Sequence, residues 1–187
     1  MTRLALLRHA DTAWSAQGRI QGRTDTPLLE SARLHLPDDC KAMAVVTSPL
    51  ARCVQSAALL GFPDAAREPR IVEMSWGDWE GETLAALRQR LGEELRRNEA
   101  RGLDFRPANG ESPRDVLSRV RPWLREVAGA GVPTLAITHK GVIRAILAAA
   151  SGWDMTGNPP AKLDWGAAQF FTLDRDGKPG IERLNVR

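Results

Sequence analysis

The sequence predicts an α/β fold: three layers, helix on sheet on helix, around a mainly parallel central sheet with an antiparallel C-terminal strand. Three observations carry that expectation. Short apolar runs at Leu4–Leu7, up to Val46, and at Thr134–Thr138 have the length and continuity of strands covered on both faces. Stretches of helical spacing follow the second and third runs, which argues for parallel strands joined by helical crossovers. The tail, "AAQFFTL", "DRDGKPG" and "IERLNV", reads as a closing hairpin at one side of the sheet. At 187 residues the chain is long enough for one sizeable core and short for two, and no composition shift marks a linker. Residues 1–187 are therefore expected to form one domain.

The first run ends on Arg8, His9 and Asp11, an abrupt change from apolar to charged. In "MAVVTSPLARCVQSAALL" the strand stops at Val46. Ser48 is expected to cap the next helix, with Pro49 at its first position and Leu50, Cys53, Val54, Ala57 and Ala58 facing inward. Arg52 then falls in the first helical turn. "TLAALRQRLGEELRR" places Leu84, Leu87, Leu91 and Leu95 on one stripe and predicts a single helix. In "NGESPRDVLSRVRPWLREV" Ser112 is the expected cap, Pro113 follows it, and Val116, Val120, Leu124 and Val127 face inward. Pro122 predicts a kink or a break there. "GVPTLAITHKGVIRAILAAASG" predicts a buried strand over Thr134–Thr138 and a helix over Val142–Ala150 stopped by Gly152, with His139 at the turn between them.

Composition narrows the function. Apolar content of 43% and charged content of 26% exclude a disordered chain, and no eighteen apolar residues run together, which excludes a membrane span. The net charge is only +3 and the arginines are scattered, so small acidic substrates are expected rather than nucleic acid or a membrane surface. The N-terminal apolar run is too short for a signal peptide, and a cytoplasmic location is expected. Cys40 and Cys53 lack both a disulfide framework and metal-site spacing, and read as ordinary thiols. Of the three histidines, His35 has no motif around it and reads as a surface loop residue. Oligomeric state is not legible.

Chemistry collects at the strand ends. Arg8 with His9, Ser48 to Arg52, and His139 each lie just past the carboxyl end of an expected strand, the edge of an α/β sheet where ligands bind and helix N-termini converge. Two arginines, two histidines and two helix ends describe an anion site, and phosphate suits it, because each guanidinium can donate paired hydrogen bonds that do not titrate away. A neutral imidazole can attack phosphorus, and the arginines can stabilise the transferring charge without metal or other cofactor. The leaving oxygen still needs a proton. In "IVEMSWGDWEGET", Glu73 follows Ile71 and Val72, where partial desolvation would raise its pKa toward that of a useful acid. Asp78 and Glu80 read as turn residues. The tryptophans at 76, 79, 123, 153 and 165 read as packing residues, and Trp14, beside the His9 loop, as the one nearest a substrate.

"LLRHADTAW", "TSPLARCVQSA", "VEMSWGDWEG", "NGES" and "THKGVIR", in this order, resemble the histidine phosphatase superfamily in its phosphoglycerate-mutase-like branch. The resemblance implies a three-layer α/β/α fold, His9 as the phosphorylated nucleophile, Arg8, Arg52 and His139 as the rest of the phosphate pocket, and Glu73 as proton donor and later activator of water. Substrate contacts would come from Arg8, Ser15, Arg52, His139 and Lys140. The chain departs from the family's pattern at Ala10 (usually glycine), Asp11 (usually glutamate), Ser15 (often asparagine) and Lys140 (commonly glycine). Its segment "PLLESARLHLPDDCKAMAVV" is shorter than the usual first helix and lacks its amphipathic repeat. The expected activity is a metal-independent phosphatase acting on small-molecule phosphomonoesters, with α-ribazole phosphatase one identity of this size. Phosphoglycerate mutase-type transfer, a metallohydrolase using His9, Asp11 and His139, and a non-catalytic phospho-ligand module are the alternatives.

Overall fold

The structure, a computed structural model, describes all 187 residues. Six strands form one sheet: β1 (Thr2–Arg8), β2 (Ala44–Thr47), β3 (Ala66–Arg67), β4 (Thr134–Thr138), β5 (Ala168–Leu173) and β6 (Pro179–Val186), in the order β3-β2-β4-β1-β5-β6. The four strands from β3 to β1 pair in parallel, and β5 and β6 add antiparallel beyond β1. The expected mainly parallel sheet is present, and both strands of the C-terminal hairpin join it. The helices are α1 (Ala13–Ala16), α2 (Ala51–Leu59), α3 (Leu84–Leu91), α4 (Glu93–Glu99), α5 (Pro113–Ala130) and α6 (Lys140–Ser151). None is long and apolar enough to cross a membrane.

The pleat of β1 divides the core. Leu4 and Leu6 turn to the face covered by Val116, Val120 and Leu124 of α5 and Val142, Ile143 and Ile146 of α6. Ala5 and Leu7 turn to the other face, with Leu135, Phe170, Cys40 and Met43. There Ile137 packs on Cys53 and Ala57 of α2. Helix α2 is thus the only long cover on that side. The stretch from 27 to 43, where an early helix would lie, has only a 3₁₀ turn at Asp38–Cys40, as its missing repeat foreshadowed.

Three expectations are corrected. Ser48 does not cap α2: the helix starts two residues beyond Pro49, its cap residue Leu50 offers no side-chain acceptor, and Asp25 accepts from the Ala51 N–H at 2.9 Å instead. The Leu84–Leu95 stripe is two helices, because Gly92 adopts φ +50, a left-handed conformation that ends α3 and starts α4. Leu87 and Leu95 still reach one small core with Trp79. Pro122 does not break α5, which runs unbroken to Gly131. Buried Val116, Val120, Trp123, Leu124 and Val127 along one face outweigh the hydrogen bond that proline deletes.

Candidate active site

Register brings the site together. Arg8 pairs with Thr138 across β1 and β4, so His9 and His139 leave adjacent strands at the same level. Thr47 pairs with Ile137, which sets Ser48 beside that end as well. The two imidazoles face each other with centroids 5.3 Å apart. Thr138 Oγ1 donates to the Ile71 carbonyl at 2.7 Å, drawing in the segment that carries Glu73. From α5, Arg119 donates to the carbonyls of Val72 at 2.7 Å and Glu73 at 3.2 Å and fixes that segment from behind.

The side chain of His9 is oriented by its own loop. Nδ1 lies 2.7 Å from the Ala10 carbonyl oxygen. A carbonyl only accepts, so Nδ1 carries the hydrogen and Nε2 keeps a free lone pair. The Ala10 N–H in turn donates to Ser56 Oγ at 2.9 Å, tying this loop to α2. Burial, reinforced by the charge of Arg8, holds the His9 pKa well below the ordinary histidine value, so the ring is neutral at neutral pH. His139 is fully buried, with Nε2 2.7 Å from Ser48 Oγ and 3.4 Å from Cys53 Sγ. Burial, then His9 and Arg52, push its pKa well down too.

Arg52, in the first turn of α2, is completely buried. Its Nη1 donates to the Thr24 carbonyl at 2.9 Å and its Nη2 to the Gly22 carbonyl at 2.7 Å, and Asp25 stands 3.9 Å away. Arg8 has Asp11 at 3.5 Å. In both guanidiniums the buried Nε–H has no acceptor in the protein. Such orphaned donors are uncommon and cost about 1–3 kcal/mol each, more when charged. Two of them, with neutral imidazoles beside them, suit an oxyanion.

Glu73 is nearly buried, and its Oε1 accepts from the backbone N–H groups of Met74 at 2.8 Å and Gly141 at 3.0 Å. Burial raises its pKa despite these bonds and the pull of Arg52. A Cβ at Gly141 would stand 2.4 Å from Glu73 Oε1, so only glycine allows this approach at the start of α6. The cleft above these groups has a volume of about 890 Å³ and is lined by Arg8, His9, Ser15, Glu73, Lys140 and Arg144 among others. Arg52 and His139 are fully buried and are not among the residues that line it.

The remaining sequence-derived residues fall as follows. Ser15 borders the cleft, but its hydroxyl accepts from the Thr12 N–H at 3.0 Å, in a capping box, and lies 3.0 Å from Asp11 Oδ1. Lys140 also borders it, its ammonium 5.1 Å over the Trp165 ring. Trp14 packs on Gly81 away from the cleft, whereas Trp76 and Trp165 line it, the reverse of the sequence reading. His9, Asp11 and His139 do not form a ligand set: no three His, Cys, Asp or Glu side chains are placed to hold a metal ion. Cys40 and Cys53 are free, and burial pushes the Cys53 thiol far up.

Sequence reasoning missed the support around Arg52. Glu80 accepts from the backbone N–H groups of Arg23 and Thr24, both at 2.9 Å, and from the Thr24 hydroxyl at 2.6 Å. It thereby holds the loop whose carbonyls grip Arg52. Nothing in the spacing of "GDWEG" indicates that reach.

The sequence matches the description "Histidine phosphatase superfamily (branch 1)" over residues 4–187. The chain belongs to this superfamily. Glucosyl-3-phosphoglycerate phosphatase of Mycolicibacterium vanbaalenii is 32% identical over 95% of this chain and 88% of its own length. A 2,3-bisphosphoglycerate-dependent phosphoglycerate mutase of Gloeobacter violaceus is 31% identical over 79% and 74%. The solved structure of a mycobacterial glucosyl-3-phosphoglycerate phosphatase with VO3 superposes with a TM-score of 0.83 over 100% of both chains at 23% identity, a likeness of fold. With its phosphatase relatives, this superfamily member is a phosphoric monoester hydrolase.

Proposed function

We propose that this hydrolase cleaves small-molecule phosphomonoesters without a metal, through a phosphohistidine on His9. The observation that carries the reading is the pair of orphaned Nε–H donors on Arg8 and Arg52, next to a His9 ring whose tautomer leaves Nε2 free. The phosphoryl group lies between the two guanidiniums and His139. Nε2 of His9 attacks phosphorus, the ester P–O bond breaks, and the Glu73 carboxylic acid protonates the departing alkoxide. In the second half, Glu73, now a carboxylate, takes a proton from water as that water attacks phosphorus. The N–P bond breaks, inorganic phosphate leaves, and His9 returns to its neutral form. Lys140 and Ser15 border the substrate, and residues 1–187 act as one domain.

The leaving alcohol is the finer question. α-Ribazole phosphate is one candidate, and glycerate-type esters, suggested by the relatives' names, are another. A panel holding both, together with phosphoserine, tests the reading. Wild type should release inorganic phosphate and accumulate an acid-labile, base-stable phosphoprotein. His9→Ala should lose at least about 10³-fold in kcat/KM. Turnover retained by His9→Ala would overturn it, and an isomerised ester in place of phosphate would establish the mutase alternative.

A further inference from the structure

Helix α6 opens with a charge arrangement that the fold itself does not ask for. Lys140 and Arg144 are four residues apart, so they lie on one face, and both line the cleft that holds His9. Like charges at this spacing repel, and Lys140, at the first position of α6, opposes the helix dipole. Other arginines with long side chains over the surface pair with carboxylates in places, as Arg70 does with Glu68 and Arg114 with Asp104. Lys140 and Arg144 form no ion pair. Each is held by an aromatic face instead: the Lys140 ammonium lies 5.1 Å from the Trp165 centroid and the Arg144 guanidinium 5.1 Å from that of Trp153. Such contacts position a cation and leave its charge unneutralised. Partial burial lowers the pKa of both, and for Arg144 no carboxylate works against it.

We propose that Lys140 and Arg144 form a second anion subsite, which receives an anionic substituent, a carboxylate or a second phosphate, on the alcohol half of the substrate. The proposal rests on the phosphatase reading of the His9 site. Arg144 lies about 6 Å farther along α6 than Lys140, from the rise of four helical residues, and both line the cleft that His9 also lines, so the two cations border the space open to the rest of the substrate. The preferred substrates are therefore esters with two anionic groups. Esters of neutral alcohols reach the same nucleophile without this anchor.

The test compares matched esters. The ratio of kcat/KM for 3-phosphoglycerate over glycerol 3-phosphate reads a carboxylate; the ratio for fructose 1,6-bisphosphate over fructose 6-phosphate reads a second phosphate. In the wild type at least one ratio should be about tenfold or more, the worth of a charged hydrogen bond. Arg144→Gln and Lys140→Gln should each bring that ratio toward one, mainly through KM, with Arg144→Lys restoring part of it. Wild-type ratios near one, or ratios that survive both substitutions, would overturn the subsite. If no ester turns over, the phosphatase reading fails separately. Calorimetric Kd ratios of the same pairs on the wild type and on Arg144→Gln then decide the subsite by the same criterion.

Discussion

Residue by residue, the site assembles opposite protonation preferences within one buried pocket. Burial lowers the His9 pKa well below the ordinary histidine value and raises that of Glu73 above the ordinary carboxyl value, the directions that the proposed nucleophile and acid require. The signs give the pH profile of kcat/KM. Activity should fall at low pH as His9 gains its proton, below the ordinary histidine range, and at higher pH as Glu73 loses its proton, above the ordinary carboxyl range. Glu73→Gln should lower kcat by about 10²–10³-fold for alkyl esters, since general acid catalysis supplies about that much. The loss should be much smaller for p-nitrophenyl phosphate, whose leaving group needs no proton, and the high-pH limb should vanish. Equal losses on both substrates would assign Glu73 a purely structural part. Arg8, His9 and His139 were legible because each stands where an apolar run ends at a strand end, Arg52 because it falls in the first turn of the helix after such a run, and Glu73 because it follows Ile71 and Val72. Glu80, Asp25, Ser56 and Arg119 were not, because their partners lie dozens of positions away and no local period marks them.

At the level of elements, the site depends on a loop that belongs to neither sheet nor helix. The carbonyls at 22 and 24 hold Arg52, and Glu80 holds that loop through three short hydrogen bonds. Glu80→Ala should therefore raise the inhibition constant of inorganic phosphate by about ten- to a hundredfold while α2 and the sheet persist, because a misplacement near 1 Å at a binding group costs that much. Competitive inhibition of the variant, read beside its circular dichroism, checks this; an unchanged constant would exclude the clamp. The same scale shows where sequence reading stopped. Strand and helix identities followed from apolar period, including β4, α5, α6 and the hairpin. Boundaries set by backbone geometry did not: the break at Gly92 interrupts a stripe that stays in register across it, and the start of α2 is decided by Asp25, far away in the chain.

For the molecule as a whole, two buried neutral histidines make stability depend on pH. Their folded pKa values lie below the unfolded value near 6.5, so their contribution is complete above that pH and is lost as pH falls through the window below it. Glu73 acts in the opposite sense: its folded pKa is raised, so its contribution is present below the ordinary carboxyl value and declines as pH rises through the folded one. With two groups against one, the melting temperature should drop between pH 7 and pH 5, and His139→Gln should flatten that drop. A steeper drop in the variant would contradict the assignment. The wall of the cleft bearing Trp165 follows a different logic from the side bearing His9. Its preceding residue Asp164 is stitched to the last strand and the terminus, by its N–H to Asn185 Oδ1 at 2.7 Å and by Arg187 Nε to its carboxylate at 2.9 Å. His9, the proposed nucleophile, directly follows β1, and the aromatic support of Lys140 is tied through Asp164 to Asn185 and Arg187. In the proposed reaction, selectivity and reactivity are thus held by different strands, Trp165 through its neighbour's ties to β6 and His9 at the end of β1.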